Sequence, residues 1–400
     1  MDRRRAGRLW GGASGSVIYA LLAIGAAAGL YQLLALAAAL LHLRRRDPEP
    51  RQFPPVSILK PVHGLDPHFC EAAGSHALID YPEFEILFGV SDPDDPAIPE
   101  IEKLIAKFPR RAIRLVMTSP ATANRKVGTL VELAAQARHS ILVVNDSDIR
   151  VPADYLRRVV APLEDPGVGL VTCLYRARAD SWPGRFEAVG VAADFAPGVL
   201  VAPLAGVNGF ALGSTMAFRA EDLARIGGFA AIGDYIADDY QLGNRIAALG
   251  LRIVLSRCVV ETSLPDRSWG DVWRHQLRWA RTIRVSRGGG YAGLPLANGT
   301  LWAVALAAAG AWRWAAAVLL LRLAAGLVTG LWALQDRRPT LDWALVPLRD
   351  LAGVALWVWG LFGSTVVWRG VHLRLGRDGR IAPAQACHGK RGGSGECVLH

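Results

Sequence analysis

Residues 16–43 run without a charged side chain, longer than the ~20 apolar residues a helix needs to cross a bilayer. The length of this run and the flank Arg44-Arg45-Arg46, which is no small-residue cleavage site, favour a retained anchor over a cleaved signal peptide. Arginines crowd both ends, so the positive-inside rule leaves orientation open. From residue 53 to about 290 the pattern changes to short β-branched runs alternating with amphipathic stretches. Strands are predicted at 56–59, 84–90, 113–117, 141–145, 169–174 and 252–255, and helices at 99–107, 126–137, 153–163 and 220–226. Such alternation predicts an α/β domain with a mainly parallel, Rossmann-like sheet, whose ligands bind beyond the carboxyl ends of the strands.

The chain turns apolar again in blocks at 296–312, 315–334 and 351–368, which predict about three C-terminal membrane helices within 296–368. Arg322 lies inside one block, where an ionisable group is costly, and Arg349 with Asp350 reads as an interface pair. Residues 1–15 read as a basic tail and 369–400 as a basic, disordered one. An apolar fraction of 52% with 13 Trp agrees with a chain partly in lipid. The net charge of +10 comes from basic residues clustered beside the apolar runs, which suits phospholipid headgroups. No helical basic stripe or aromatic reader segment points to nucleic acid. Cys70, Cys173, Cys258, Cys387 and Cys397 form no CxxC or Cys/His cluster, so they indicate neither a zinc site nor a disulfide framework and suit a reducing compartment.

The candidate chemistry is carboxylate. Asp146 and Asp148 follow the apolar run ILVVN directly, where alternate residues turn two hard oxygen ligands towards one side. Asp-Ser-Asp before Pro152 also suits a simple turn. Asp92 ends a second strand and opens the acidic loop Asp92-Pro93-Asp94-Asp95, as a fixed acceptor for a nucleobase or ribose or as a cap for the helix beyond. Asp238-Asp239 starts an amphipathic helix, where a carboxylate can cap it or take a proton from an attacking hydroxyl. Arg274, Arg278, Arg281 and Arg284 recur at helical spacing around Trp279, a headgroup anchor or a neutraliser for a departing diphosphate. Lys60 and Lys126 add positive charge near strand ends.

In order, ILKPVHGLDP, DPDDPAI, NDSDIRV, GSTMAFR, YIADDY, HQLRWARTIR and TLDWALVPLRD resemble family 21 glycosyltransferases, the ceramide glucosyltransferases with a bacterial branch acting on hopanoid lipids. The resemblance covers roughly residues 54–375. It implies a GT-A fold, a UDP-sugar donor, a divalent metal (Mg²⁺ or Mn²⁺) and inversion to a β-glycoside. By position, Asp92 resembles the uridine-binding aspartate, Asp146 and Asp148 the metal and diphosphate motif, Asp239 the catalytic base, and Arg278-Trp279 the RW of Q/RxxRW. Lys60 and Lys126 join Asp92 and Asp146 as nucleotide-sugar contacts. Two departures stand out: His275 replaces the usual Gln or Arg, and KVGTL replaces Lys-x-x-Asn-Leu. The animal enzymes' histidine is absent from 194–199, which favours the bacterial branch.

The expected reaction moves a hexose, glucose or N-acetylglucosamine, to a ceramide- or hopanoid-type hydroxyl at the bacterial inner membrane. Because bacterial nucleotide sugars are cytosolic, the catalytic domain is expected on the cytoplasmic face. The rivals are a processive synthase of the cellulose or hyaluronan type and a catalytically silent lipid-binding scaffold. The apolar segment 195–204 reads mainly as core, or as a path for the lipid.

Overall fold

The computed structural model describes residues 6–338 and 340–382. The N-terminal run is one helix, α1 (Ala6–Arg44), so the stretch read as a tail over 1–15 is helical from Ala6 and its first five residues lie outside the described residues. The α/β unit follows as β1 (Val56–Val62), α2 (Phe69–Ala77), β2 (Phe84–Val90), α3 (Ala97–Lys107), β3 (Ala112–Met117), α4 (Arg125–Gln136), β4 (Ile141–Val144) and β5 (Ile149–Arg150). It continues through α5 (Tyr155–Val160), β6 (Val168–Arg178), α6 (Trp182–Gly190), α7 (Ala196–Val201), β7 (Met216–Arg219), α8 (Ala220–Arg225), α9 (Asp238–Ala248) and β8 (Arg252–Ser263).

The strands form one eight-stranded sheet in the order β3-β2-β1-β4-β7-β6-β8-β5. The first four are mutually parallel, β6 runs parallel to β8, and β7 lies antiparallel between β4 and β6. Period-two alternation splits the core: Ile58, Ile86 and Val143 face one cluster with α2, α3 and α5, while Leu59, Leu87 and Leu142 face another with α4 and α9. The helix expected over 153–163 stops at Val160 and continues as a 3₁₀ turn, because Pro162 offers no N–H to an α ladder. Strands β6 and β8 run well past their predicted ends. Their distal halves carry charges that interrupt the apolar run, and one pair of these meets across the strands, Arg176 Nε to Glu261 Oε2 at 2.8 Å.

Beyond β8 come α10 (Trp269–Ser286), α11 (Gly288–Ala297), α12 (Gly299–Ala308), α13 (Trp312–Val328), α14 (Thr340–Trp343) and α15 (Val346–Gly360). Among the described residues three helical segments are long and apolar enough to cross a membrane: Gly15–Arg44, Trp182–Ala205 and Trp312–Ala333. The second is 61% buried within the protein. Its Val199 and Leu200 pack with Ala35 and Ala39 of α1 and Ala325 of α13, so this segment joins the sheet to the apolar helices. Of the three C-terminal apolar blocks, the middle one forms such a helix. The first breaks at Asn298, whose side chain accepts from Leu301 N and restarts the chain as α12. The block read at 351–368 ends as helix at Gly360 and becomes β9 (Thr365–Trp368), a β-branched run paired with β10 (Val371–Leu375), with β11 (Ile381–Ala382) alongside.

The disordered reading of 369–400 is therefore corrected up to Ala382, and the remainder lies outside the described residues. Val366, Leu375 and Ile381 bury themselves against Ile236, a small apolar cluster that Gly- and Arg-rich surroundings hid. Arg349 and Asp350 do not pair with each other. Asp350 takes Arg322 at 2.6 and 2.9 Å, which satisfies the charge inside the apolar block, while Arg349 bonds Gln276 at 2.7 Å.

Candidate active site

The loop after β4 is held from within by a buried side chain. Asn145 Nδ2 donates to Tyr155 Oη at 2.9 Å and to Ser214 O at 2.7 Å. Asp146 and Asp148 are thereby fixed beyond the strand end, with Ser147 Oγ donating to Asp66 and Thr262 Oγ1 to Asp148. From α4, Lys126 Nζ reaches Asp146 at 2.8 Å and Asp238 at 3.0 Å. Lys60 is fully buried in β1, and its Nζ donates to Asp146 O at 2.9 Å.

Asp239, at the start of α9, accepts from Gly213 N at 3.0 Å and Tyr240 N at 2.7 Å. A Cβ on Gly213 would stand 3.2 Å from Asp146 Oδ2, 3.5 Å from Asp239 Oδ2 and 3.7 Å from Lys126 Nζ. Two carboxylates from distant segments thus converge on one backbone position, close enough that a Cβ there would press on Asp146.

The electrostatics follow from this crowding. Burial lowers Lys60 to about 7, against the pull of Asp148, Asp146 and Asp66. Burial also opposes charge on Lys126, yet Asp146, Asp238 and Asp239 outweigh it and raise its pKa. Burial and then Asp146 push Asp148 up to about 6. Burial and then Asp238 lift Asp239 well above the ordinary carboxylate range, against Lys126. Tyr175 of β6 belongs to the same space: burial and then Asp239, Asp146 and Asp148 keep its phenol protonated.

Among the described residues no three His, Cys, Asp or Glu side chains gather into a self-sufficient metal cage. Two carboxylates suit Mg²⁺ or Mn²⁺ all the same, since such ions take one or two and complete their shell from water and phosphate oxygens. Burial and then the charge of Asp146 disfavour an ionised Asp148, and a divalent cation between the two carboxylates would relieve both.

Helix α10 supplies the opposing charge. It opens with a capping box at Ser268 and Asp271 and carries Arg278 and Trp279. Arg278 makes no hydrogen bond or ion pair with any described residue, and burial, then Arg267, lowers it to about 10 while Glu187 and Asp146 act the other way. The Trp279 ring packs at 6.1 Å from Phe195 and 5.1 Å from His275. A further arginine comes from the β9–β10 hairpin. Arg369 and Gly370 both take positive φ, 47° and 79°, as a two-residue turn between right-twisted strands requires. The turn sends Arg369 to His63 O and to within 3.6 Å of Asp66 Oδ2, close enough for its charge to act on Arg278.

Residues 17–381 match the family model described as Glycosyl transferase family 21. The chain belongs to that family. Ceramide glucosyltransferase 3 of Caenorhabditis elegans is 25% identical over 242 residues, 57% of this chain and 50% of that protein. The ceramide glucosyltransferase of Candida albicans is 32% identical over 121 residues, 27% of this chain and 22% of that one. The chain thus spans half or less of the length of the curated relatives it matches. Among solved structures, a mannosyltransferase from Pyrobaculum calidifontis in complex with GDP-Man and Mn²⁺ aligns with a TM-score of 0.51 at 23% identity, covering 84% of this chain and 99% of that one. That likeness supports a GT-A fold.

Within this family 21 chain, His275 at the unusual motif position has a local partner: its Nδ1 lies 2.5 Å from Glu187, which also holds Arg267 at 3.1 Å and Gln276 at 2.9 Å. Asp92 stands apart from the other acids. Its carboxylate accepts from Asp94 N at 3.0 Å and is exposed at the end of β2, while Asp95, not solvated, is buried and accepts from Gly64 N and Ala97 N. Neither Asp92 nor Asp95 contacts Asp146. Sequence reading missed Tyr175, Gly213 and Arg369. Only the Arg-Gly pair between alternating residues carried a signal, that of a hairpin turn.

Proposed function

We propose that this glycosyltransferase transfers one hexose from a UDP-sugar to a lipid hydroxyl of ceramide or hopanoid type, with inversion to a β-glycoside. The observation that carries this reading is the convergence of Asp146, Asp239 and Lys126 on Gly213, faced by an arginine without a protein partner, Arg278. The donor lies across the strand ends, its base or ribose at Asp92 and its diphosphate near Asp146, Asp148, Lys60 and Lys126. Asp146 and Asp148 would hold Mg²⁺ or Mn²⁺, which when bound screens the diphosphate's charge. Asp239 takes the proton of the acceptor hydroxyl as its oxygen bonds to the anomeric carbon and the bond to the diphosphate breaks. Arg278 receives the charge that builds on the leaving UDP, and Trp279 keeps its helix against Phe195. The apolar helices present the acceptor from the membrane, the bacterial inner membrane with the polar unit on its cytoplasmic side, where nucleotide sugars are made.

UDP release by the purified full chain in lipid vesicles tests the reading. UDP-glucose or UDP-N-acetylglucosamine is expected to turn over only with lipid acceptor and Mg²⁺ or Mn²⁺, and release unchanged by a chelator would contradict it. Because Asp239 titrates higher than an ordinary carboxylate, the base is protonated on the acid side first. The rate is therefore expected to fall with decreasing pH well before the ~4 of a free carboxyl, and a rate flat down to that value would exclude Asp239 as the base. Arg369→Ala is expected to raise KM for the donor roughly threefold to tenfold with less change in kcat, since a charged contact is lost at the cleft edge.

A further inference from the structure

A groove of about 380 Å³ lies between α6, α10 and α15, away from the carboxylates. Phe186, Trp269, Val272, Trp273, Leu348 and Leu356 make its walls, and Gln276 and Arg349 lie in its lining. Trp269 and Leu348, 58% and 59% exposed, leave it open to the surroundings. Its base is polar and incomplete. Arg349 is 6% exposed, donates from Nη2 to Gln276 at 2.7 Å and sits over the Phe186 ring at 5.9 Å, yet its buried Nη1 has no partner.

Every nearby carboxylate is engaged elsewhere or lies farther off. Glu187 holds Arg267, His275 and Gln276, Asp350 holds Arg322, and Asp194 acts on Arg349 only at longer range. A buried donor left without a hydrogen-bond partner is costly, and an anionic oxygen delivered by an apolar molecule satisfies both Arg349 Nη1 and the walls.

The geometry also says which amphiphile this is. At about 100° per residue, Trp269, Val272, Trp273 and Gln276 share one face of α10, and Arg278 projects from the opposite one. The groove thus lies on the side of α10 away from Arg278, which favours an occupant other than the acceptor. We infer that the groove between α6, α10 and α15 binds an anionic bilayer phospholipid, an acyl chain lying along its aromatic wall and the phosphate on Arg349. From there the contact runs through Gln276 and Glu187 to His275, whose ring packs on Trp279. An occupied groove thus braces the helix that carries Arg278.

The test reads binding and does not depend on the transferase reading. The full chain in detergent is offered equal amounts of dioleoylphosphatidylglycerol and dioleoylphosphatidylcholine, and the adducts are weighed by native mass spectrometry. One tightly held phosphatidylglycerol, favoured roughly tenfold or more, is expected from a charge-assisted contact. Arg349→Met should bring the two lipids to parity. Ala352→Phe, which fills the groove and leaves Arg349 in place, should abolish the adduct without loss of the helical circular dichroism. Equal retention of both lipids by the native chain, or an unchanged phosphatidylglycerol adduct in Ala352→Phe, would overturn the assignment. So would displacement of phosphatidylglycerol by an equal amount of ceramide, which would give the groove to the acceptor.

Discussion

Asp239→Asn is expected to lower kcat by about 10²- to 10⁴-fold, the range over which a positioned general base acts, while donor affinity stays near its native level. The substitution keeps the shape of the side chain and removes its basicity. Asp239 accepts from Gly213 N and from Tyr240 N with its two oxygens, and an asparagine can serve only one of them. The unserved N–H costs on the order of 1–3 kcal/mol. Against that, the variant relieves the burial of a charge and the repulsion from Asp238 that lift the native carboxyl, while giving up its attraction to Lys126. Thermal stability should therefore move little, and a loss of turnover cannot be assigned to unfolding. Nucleotide binding followed by fluorescence, beside UDP release, separates the two effects. Near-native transfer by the variant would remove Asp239 from the mechanism.

Arg278→Ala is expected to cost about 10²- to 10³-fold in kcat, the size of a lost donor to developing charge. Its stability signature is the opposite of that for a structural arginine. Arg278 has no partner among the described residues, and burial with Arg267 and Arg369 already disfavours its charge. Removing it should leave the melting temperature unchanged or raised, as where a site holds a group the fold alone would reject. Arg278→Lys keeps the charge without the planar fork and should fall between the two. A melting temperature well below native in Arg278→Ala, with turnover lost in proportion, would make the residue structural.

The parallel half of the sheet was legible because its strands are short, apolar and bounded by turn residues; β2 falls at Phe84–Val90, where the alternation puts it. Strand β7 was not, since four residues between a glycine-rich loop and α8 leave no period to detect. The stretch 195–204, read mainly as core, lies in a segment, Trp182–Ala205, apolar enough to cross a membrane, and it is core where α1 and α13 pack against it. The order of the candidate residues Asp92, Asp146, Asp148, Asp239 and Arg278 could be read from the chain. The pairing of Lys126 with both Asp146 and Asp238 could not, being a property of three segments brought together. Gly213 shows the same limit: its significance is the space it leaves between two carboxylates. The hairpin that carries Arg369 was hidden by its own composition, since Gly and Arg beside an apolar block resemble a solvated tail.

The central claim is transfer of a single sugar to a lipid by the site at Gly213, and it is tested most directly by mass spectrometry of lipids from host membranes expressing the native chain or Asp239→Asn. A lipid heavier by one hexose or N-acetylhexosamine unit, in a β linkage and present only with the native chain, is the predicted result. A long sugar polymer, the same glycolipid from both chains, or no new lipid despite UDP release would contradict it.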